Sequence, residues 1–146
     1  MTEGRFWAAA VAGGVTLFIA GLLLWGLLFG GFFEAHVGSA VGVVKEEMDF
    51  FHLALGQFFW GVLLALIIAR YAGVSGFLEG MKIGALVGFL ISLSVGLNQL
   101  SMTNLFDVTT AMVDPFVSAV WSGLGGGVIG LVLAGGEKKV VAPPLE

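Results

Sequence analysis

The groups best suited to chemistry in this chain are carboxylates and imidazoles, and they collect in a few places. Glu34, His36, Lys45, Glu46, Glu47 and Asp49 follow one another closely, His52 comes just after, and Asp107 and Asp114 stand near each other further on. Oxygen and imidazole donors of this kind hold divalent metals, so Glu34, His36, Asp49, His52, Asp107 and Asp114 form the pool from which a metal site would be drawn. Their spacing argues against one, because no His-x-x-x-His or Glu-x-x-His pair sets two donors on one helical face. A solvated acidic rim is the simpler expectation, with no metal and no other cofactor. Asp114-Pro115 reads as a helix start, with the aspartate at the cap and the proline at the first helical position. The stretch from Val43 to Phe51 has no breaker, so a helix is expected to begin there and to stack Lys45, Asp49 and His52 on one face, where an ion pair would form.

The elements that must position these groups are four apolar stretches, roughly residues 6–33, 50–68, 77–102 and 108–134, with acidic and basic side chains only toward their ends. Each matches or exceeds the ~20 residues a helix needs to cross the hydrocarbon core of a bilayer. The predicted class is an all-α membrane protein, a four-transmembrane-helix bundle forming one domain over about residues 1–136. Composition agrees: 58% hydrophobic residues, 11% charged residues and a mean hydropathy of +1.04 leave too little polar surface to coat a soluble globule. The first stretch is too long for a signal-peptide core and its Gly-rich run ends in Phe32-Phe33-Glu34 without an Ala-x-Ala site, so it is expected to remain in the mature protein. Residues 137–146, with Pro143-Pro144, read as a flexible tail. The absence of cysteine excludes disulfides, thiolate ligands and cysteine nucleophiles, and the net charge of −4 argues against nucleic acid as a partner.

Orientation follows from the basic residues. Arg5, Arg70, Lys82, Lys138 and Lys139 fall on one side and only Lys45 on the other, which places both termini in the cytoplasm and the first and third connections outside. Trp7 then serves as an anchor at the cytoplasmic interface.

Lipid tails give helices no hydrophobic reason to associate, so close backbone approach must supply it. Gly80, Gly84, Gly88, Ser92 and Gly96 recur every four residues along the third stretch, and Ser118, Ser122, Gly126, Gly130 and Ala134 do so along the fourth. Gly61, Ala65, Ala69 and Gly73 give a shorter version in the second. Packing within one bundle is the first reading of these seams; a homo-oligomer or a larger membrane complex is the alternative.

Two further features bear on binding. Ser94, Asn98 and Ser101 share a face of the third helix about 200° from the glycine seam. An amide facing lipid is costly, so this stripe is expected to meet a neighbouring helix or a hydrated cavity. Trp25, Trp60 and Trp121 each fall about two turns below the proposed outer ends of three different helices. Facing inward they would form an aromatic collar suited to an organic cation or a flat apolar ligand; facing lipid or filling core volume they would do neither. Above them, Glu34, Asp49, His52, Asp107 and Asp114 make an acidic outer mouth.

Absences narrow the options. No charged side chain is expected at mid-membrane, so a proton-coupled pump is disfavoured. No broken helix suggests a transporter-type half-helix site, and no hydrolase or phosphate-binding motif is present. Catalysis is the least favoured class.

Gly21-x-x-x-Trp25-Gly26-x-x-Phe29-Gly30, Glu79-Gly80 and Asp114 ahead of the last span resemble the pattern of a loose group of small, functionally uncharacterised four-span bacterial membrane proteins. The resemblance implies a bacterial inner-membrane location and assigns no functional residue. Two functions stay open: a small-molecule or cation binding or transport module, with an outward pocket lined by Trp25, Trp60, Trp121, Ser94 and Asn98, or an accessory or scaffold subunit of a larger membrane assembly.

Overall fold

The computed structural model describes residues 2–43, 45, 47–74 and 76–135; the expected tail, 137–146, with Lys138 and Lys139, lies outside the described residues. Among the described residues the chain forms five helices: α1 Glu3–Leu28, α2 Gly30–Ala35, α3 Phe50–Ala72, α4 Phe77–Met102 and α5 Val108–Ala134. Four of them, α1, α3, α4 and α5, are long and apolar enough to cross a membrane.

The helix limits follow local chemistry and correct several expectations. α1 does not run on to Phe33. Its last residues, Leu22–Leu28, widen into a π-helix in which the Phe29 N–H reaches the Leu24 carbonyl at 2.8 Å. Phe29 then leaves helical geometry, with φ −113° and ψ 2°, and the short α2 follows as a separate piece. α3 outlasts its expected end at Ile68 through a second π segment, Ile67–Ala72, and stops at Gly73, whose φ of +62° is a left-handed conformation open to glycine. At its start, the described residues before Phe50 are not helical. Asp49 instead caps α3, its Oδ1 accepting from the His52 N–H at 3.2 Å, and a capping residue stands outside the helix it caps.

α5 is the central element. α4 packs along one side of it and α1 on the other, with α3 against α1 and touching α5 beyond. The α4–α5 seam is closed by the small residues. A Cβ on Gly80 or Gly84 would run into the carbonyl of Gly126 or Ser122, and one on Gly88 would meet the Ser122 side chain and the Ser118 carbonyl. Only glycine lets these backbones touch. Gly130 meets Gly76 and Gly80 in the same way, whereas Gly96 stands at ordinary contact distance from Ala111, at 3.6 Å, so the seam loosens toward that end. Across the bundle, Gly61 abuts the backbone of Ala10 and Gly14, and Leu17, Leu64, Ile68 and Ile129 fill the fully buried centre.

The first and third connections are tied together at one end of the bundle. The His36 carbonyl accepts from the Asp107 N–H at 3.2 Å and from the Thr110 hydroxyl at 3.0 Å. Val37 and Phe106 form an antiparallel bridge, and Gly38 sits where a Cβ would strike the Asn104 carbonyl. This clasp closes over the part of the bundle that holds the tryptophans.

Candidate ligand-binding site

Trp25, Trp60 and Trp121 reach one another from α1, α3 and α5. The Trp121 ring lies between the other two, with centroids 5.6 Å from Trp25, nearly perpendicular, and 5.4 Å from Trp60, tilted by 36°. Each indole N–H donates to protein: Trp121 to the Leu17 carbonyl at 2.7 Å, Trp60 to the Ser122 hydroxyl at 2.8 Å, and Trp25 to Asp114 Oδ1 at 3.0 Å. The three N–H edges are thereby held by the protein, and each indole also lines a neighbouring cavity. Gly21 packs beside the Trp121 ring, where a Cβ would come into contact with Nε1 at 3.4 Å. Trp25 lies in the π segment of α1, and π segments recur at functional sites.

Asp114 is the residue that sequence reasoning misplaced. It neither caps α5 nor belongs to the outer mouth. Asp107 is the cap, its Oδ1 accepting from the Thr110 N–H at 2.9 Å, and both Asp114 and Pro115 lie inside the helix. At 1.5 Å per residue the Asp114 carboxyl sits roughly 9 Å along α5. Its Oδ2 accepts from Ser92 of α4 at 2.6 Å and from Ser118, one turn on, at 3.3 Å. The carboxyl thus joins α1, α4 and α5 from inside the second turn of α5, rather than standing at its start as expected. The signal was present: Ser92 and Ser118 interrupt the two glycine seams with hydroxyls at the height of Asp114.

Two cavities flank this cluster. One, of about 410 Å³, lies among α1, α3 and α5; Phe18, Trp25, Gln57, Ser118 and Trp121 line it, and it opens beside Met48. The other, of about 240 Å³, lies on the α4 side, where Trp60, Ser92, Asp114 and Trp121 meet Val95 and Phe106. Ser118 and Trp121 belong to both walls. Gln57, which no sequence pattern singles out, has a buried Oε1 with no hydrogen-bond partner among the described residues.

Ser94 and Asn98 do not join the tryptophans. Both are exposed on the far face of α4. Their polarity is met locally, the Asn98 amide donating to the Ser94 carbonyl at 2.9 Å and the Ser101 hydroxyl to the Asn98 carbonyl at 2.8 Å. A side chain that bonds its own helix needs no neighbouring one, which is why the expected inward stripe is absent.

The rest of the acidic mouth is dispersed. Glu34 is exposed on α2, Asp107 is used as a cap, and Asp49 bonds the His52 ring at 2.6 Å with Lys45 at 4.0 Å. The backbone N–H and the ring of His52 hold the Asp49 carboxyl below its ordinary value. Among the described residues no three His, Asp or Glu side chains converge as a metal would require. A cleft of about 480 Å³ at the opposite end, lined by Glu3, Trp7 and Arg70, is open and formed largely by exposed side chains. No family model matches the chain, and neither curated proteins nor solved structures give a significant match.

Proposed function

We propose that this is a non-enzymatic multi-pass membrane protein that binds a flat, largely apolar molecule carrying a hydrogen-bond donor, organic cations included, in the cavity among α1, α3 and α5. The observation that carries this reading is the lining itself: Phe18, Trp25 and Trp121 wall a cavity of about 410 Å³ together with one amide, Gln57, whose buried Oε1 has no donor among the described residues. An unpaired buried acceptor costs about 1–3 kcal/mol, and the Gln57 amide turned toward a ligand N–H or O–H would recover it. Indole faces add stacking of about 0.5–1.5 kcal/mol beyond area burial, and attract positive charge. Glu47 and Asp49, on either side of Met48 at the entrance, would concentrate cations there. The lining set is revised accordingly: Trp25 and Trp121 stay, while Gln57 and Phe18 take the place of Ser94 and Asn98.

The distribution of Arg5, Arg70 and Lys82 against Lys45 supports an orientation with the N-terminus and the α3–α4 connection in the cytoplasm and the clasped connections outside. The bacterial inner membrane is the location implied by the resemblance to small four-span proteins.

One observation favours a second reading, an accessory subunit of a larger assembly. α4 meets the bundle almost entirely through α5, and its other face, with Leu86, Leu90, Ser94 and Asn98, is exposed. Native mass spectrometry of the protein released from lipid nanodiscs separates the two. A retained non-lipid mass that is lost in Gln57→Leu supports the binding module. A co-purifying protein chain and no retained small molecule would overturn it in favour of the accessory subunit.

A further inference from the structure

The smaller cavity has a different chemistry from the pocket proposed above, and its argument does not depend on that pocket. Its wall carries the Asp114 carboxyl, which receives Trp25 on Oδ1 and Ser92 and Ser118 on Oδ2. A carboxylate offers about four acceptor positions, so three are occupied and one on Oδ1 stays open. No Lys, Arg or His lies within ion-pair distance of it among the described residues. An acidic group inside a membrane-spanning helix is costly unless it is paired, and such groups face a partner or a cavity. Trp60 and Trp121 line the same cavity, and an indole attracts a cation held over its ring. The three donors fix the carboxyl from three helices, which is the preorganisation a charge-recognition site needs.

We infer that the cavity formed by Asp114, Ser92, Trp60 and Trp121 is a binding site for a small organic ammonium ion, with Asp114 as its counter-charge and the indoles as its walls. The cation would enter from the α4 side past Val95, which lines the cavity and is 55% exposed. Specificity follows from the composition of the wall: a compact alkylammonium satisfies both charge and π contact, whereas a neutral alcohol of the same size satisfies neither.

The test is a titration of intrinsic tryptophan fluorescence with ethylammonium chloride in an uncharged maltoside micelle, with ethanol as the neutral comparison and sodium chloride matching ionic strength. The wild-type protein should give a saturable change with ethylammonium alone. Asp114→Asn should weaken the apparent affinity at least about tenfold, the scale of a lost charge partner. Because Asp114→Asn also alters a carboxyl bonded to three helices, Val95→Phe provides an independent arm, filling the cavity from its rim while every bond to Asp114 remains. It too should abolish saturation. No saturable change in the wild type, an equal response to ethanol, or undiminished binding in Val95→Phe would overturn the inference. Loss of 9-aminoacridine binding in Gln57→Leu with ethylammonium binding intact would leave this site standing, and the reverse result would remove it alone.

Discussion

The Trp25 indole donates to Oδ1 of Asp114 at 3.0 Å, joining the π segment of α1 to the second turn of α5. Ser92 brings α4 to the same carboxyl from the other side. Where hydrophobic attraction between helices is absent, such a shared acceptor is one of the few directional contacts that can set their rotation. Trp25→Phe should therefore destabilise the bundle by about 1–3 kcal/mol, the range for leaving a partly buried polar group short of a partner. Ser92→Ala should cost a similar amount, and the double variant should cost less than the sum, because both bonds end on one carboxyl. Unfolding by titration with denaturing detergent, followed by circular dichroism, would read all three; strict additivity would show that the two bonds are independent.

Backbone contact along α4 and α5 makes a position-specific prediction. Gly84→Ala places a methyl group against the Ser122 carbonyl and should lower stability by at least about 1–3 kcal/mol, as overpacking does where backbone rather than a flexible side chain must move. Gly56→Ala, in α3 with nothing near its would-be Cβ, should be neutral or slightly stabilising, since alanine is favoured over glycine by up to about 1 kcal/mol in a helix. Equal effects at the two sites would remove the seam as the organising contact.

Asp107, not Asp114, begins α5. Asp107→Ala should cost about 1 kcal/mol through loss of the cap on the Thr110 N–H, and hydrogen exchange at the first turn of α5 should quicken. Unchanged protection there would mean that the clasp to His36 alone holds the helix start.

Asp49 gives a pH dependence whose sign is fixed. Hydrogen bonds from His52 depress its folded-state value below the ordinary 3.8, so its contribution is complete above that value and fades as the pH falls through the lower folded one. The α3 start should fray only under that acidic condition, read as faster exchange of the His52 amide. In Asp49→Asn the protection should be lower and flat across the same range; a wild-type profile that rose on acidification would contradict the assignment.

Much of the fold was legible because its determinants are local. The run of apolar residues from Val108 onward specifies a long helix whatever surrounds it, and four-residue spacing of Gly80, Gly84 and Gly88 marks the face on which two backbones meet. The depth count that put Trp25, Trp60 and Trp121 in one layer also agrees with their ring distances. What sequence could not supply was rotation and competition between equivalent partners. Asp107 and Asp114 are both plausible caps, and the choice depends on the hydroxyls that α4 and α5 bring to the second. Asn98 carries the same donors whether it faces a cavity or bonds Ser94 behind it. Gln57 is an ordinary glutamine until the fold sets it in the lining shared with Trp25 and Trp121, and the π segment that carries Trp25 has no sequence signature in Leu22–Leu28.

The central claim is that the cavity of Gln57, Trp25 and Trp121 is a ligand site, and it is tested most directly by titrating the protein in nanodiscs with 9-aminoacridine, a planar cation that bears N–H donors, and reading energy transfer from tryptophan against empty nanodiscs. Saturable transfer in the wild-type protein, weakened about tenfold in Gln57→Leu by loss of an unpaired acceptor, is the predicted result. Transfer that rises without saturation, or that Gln57→Leu leaves unchanged, would mean that the dye is only partitioning into lipid and that the cavity is not a binding site.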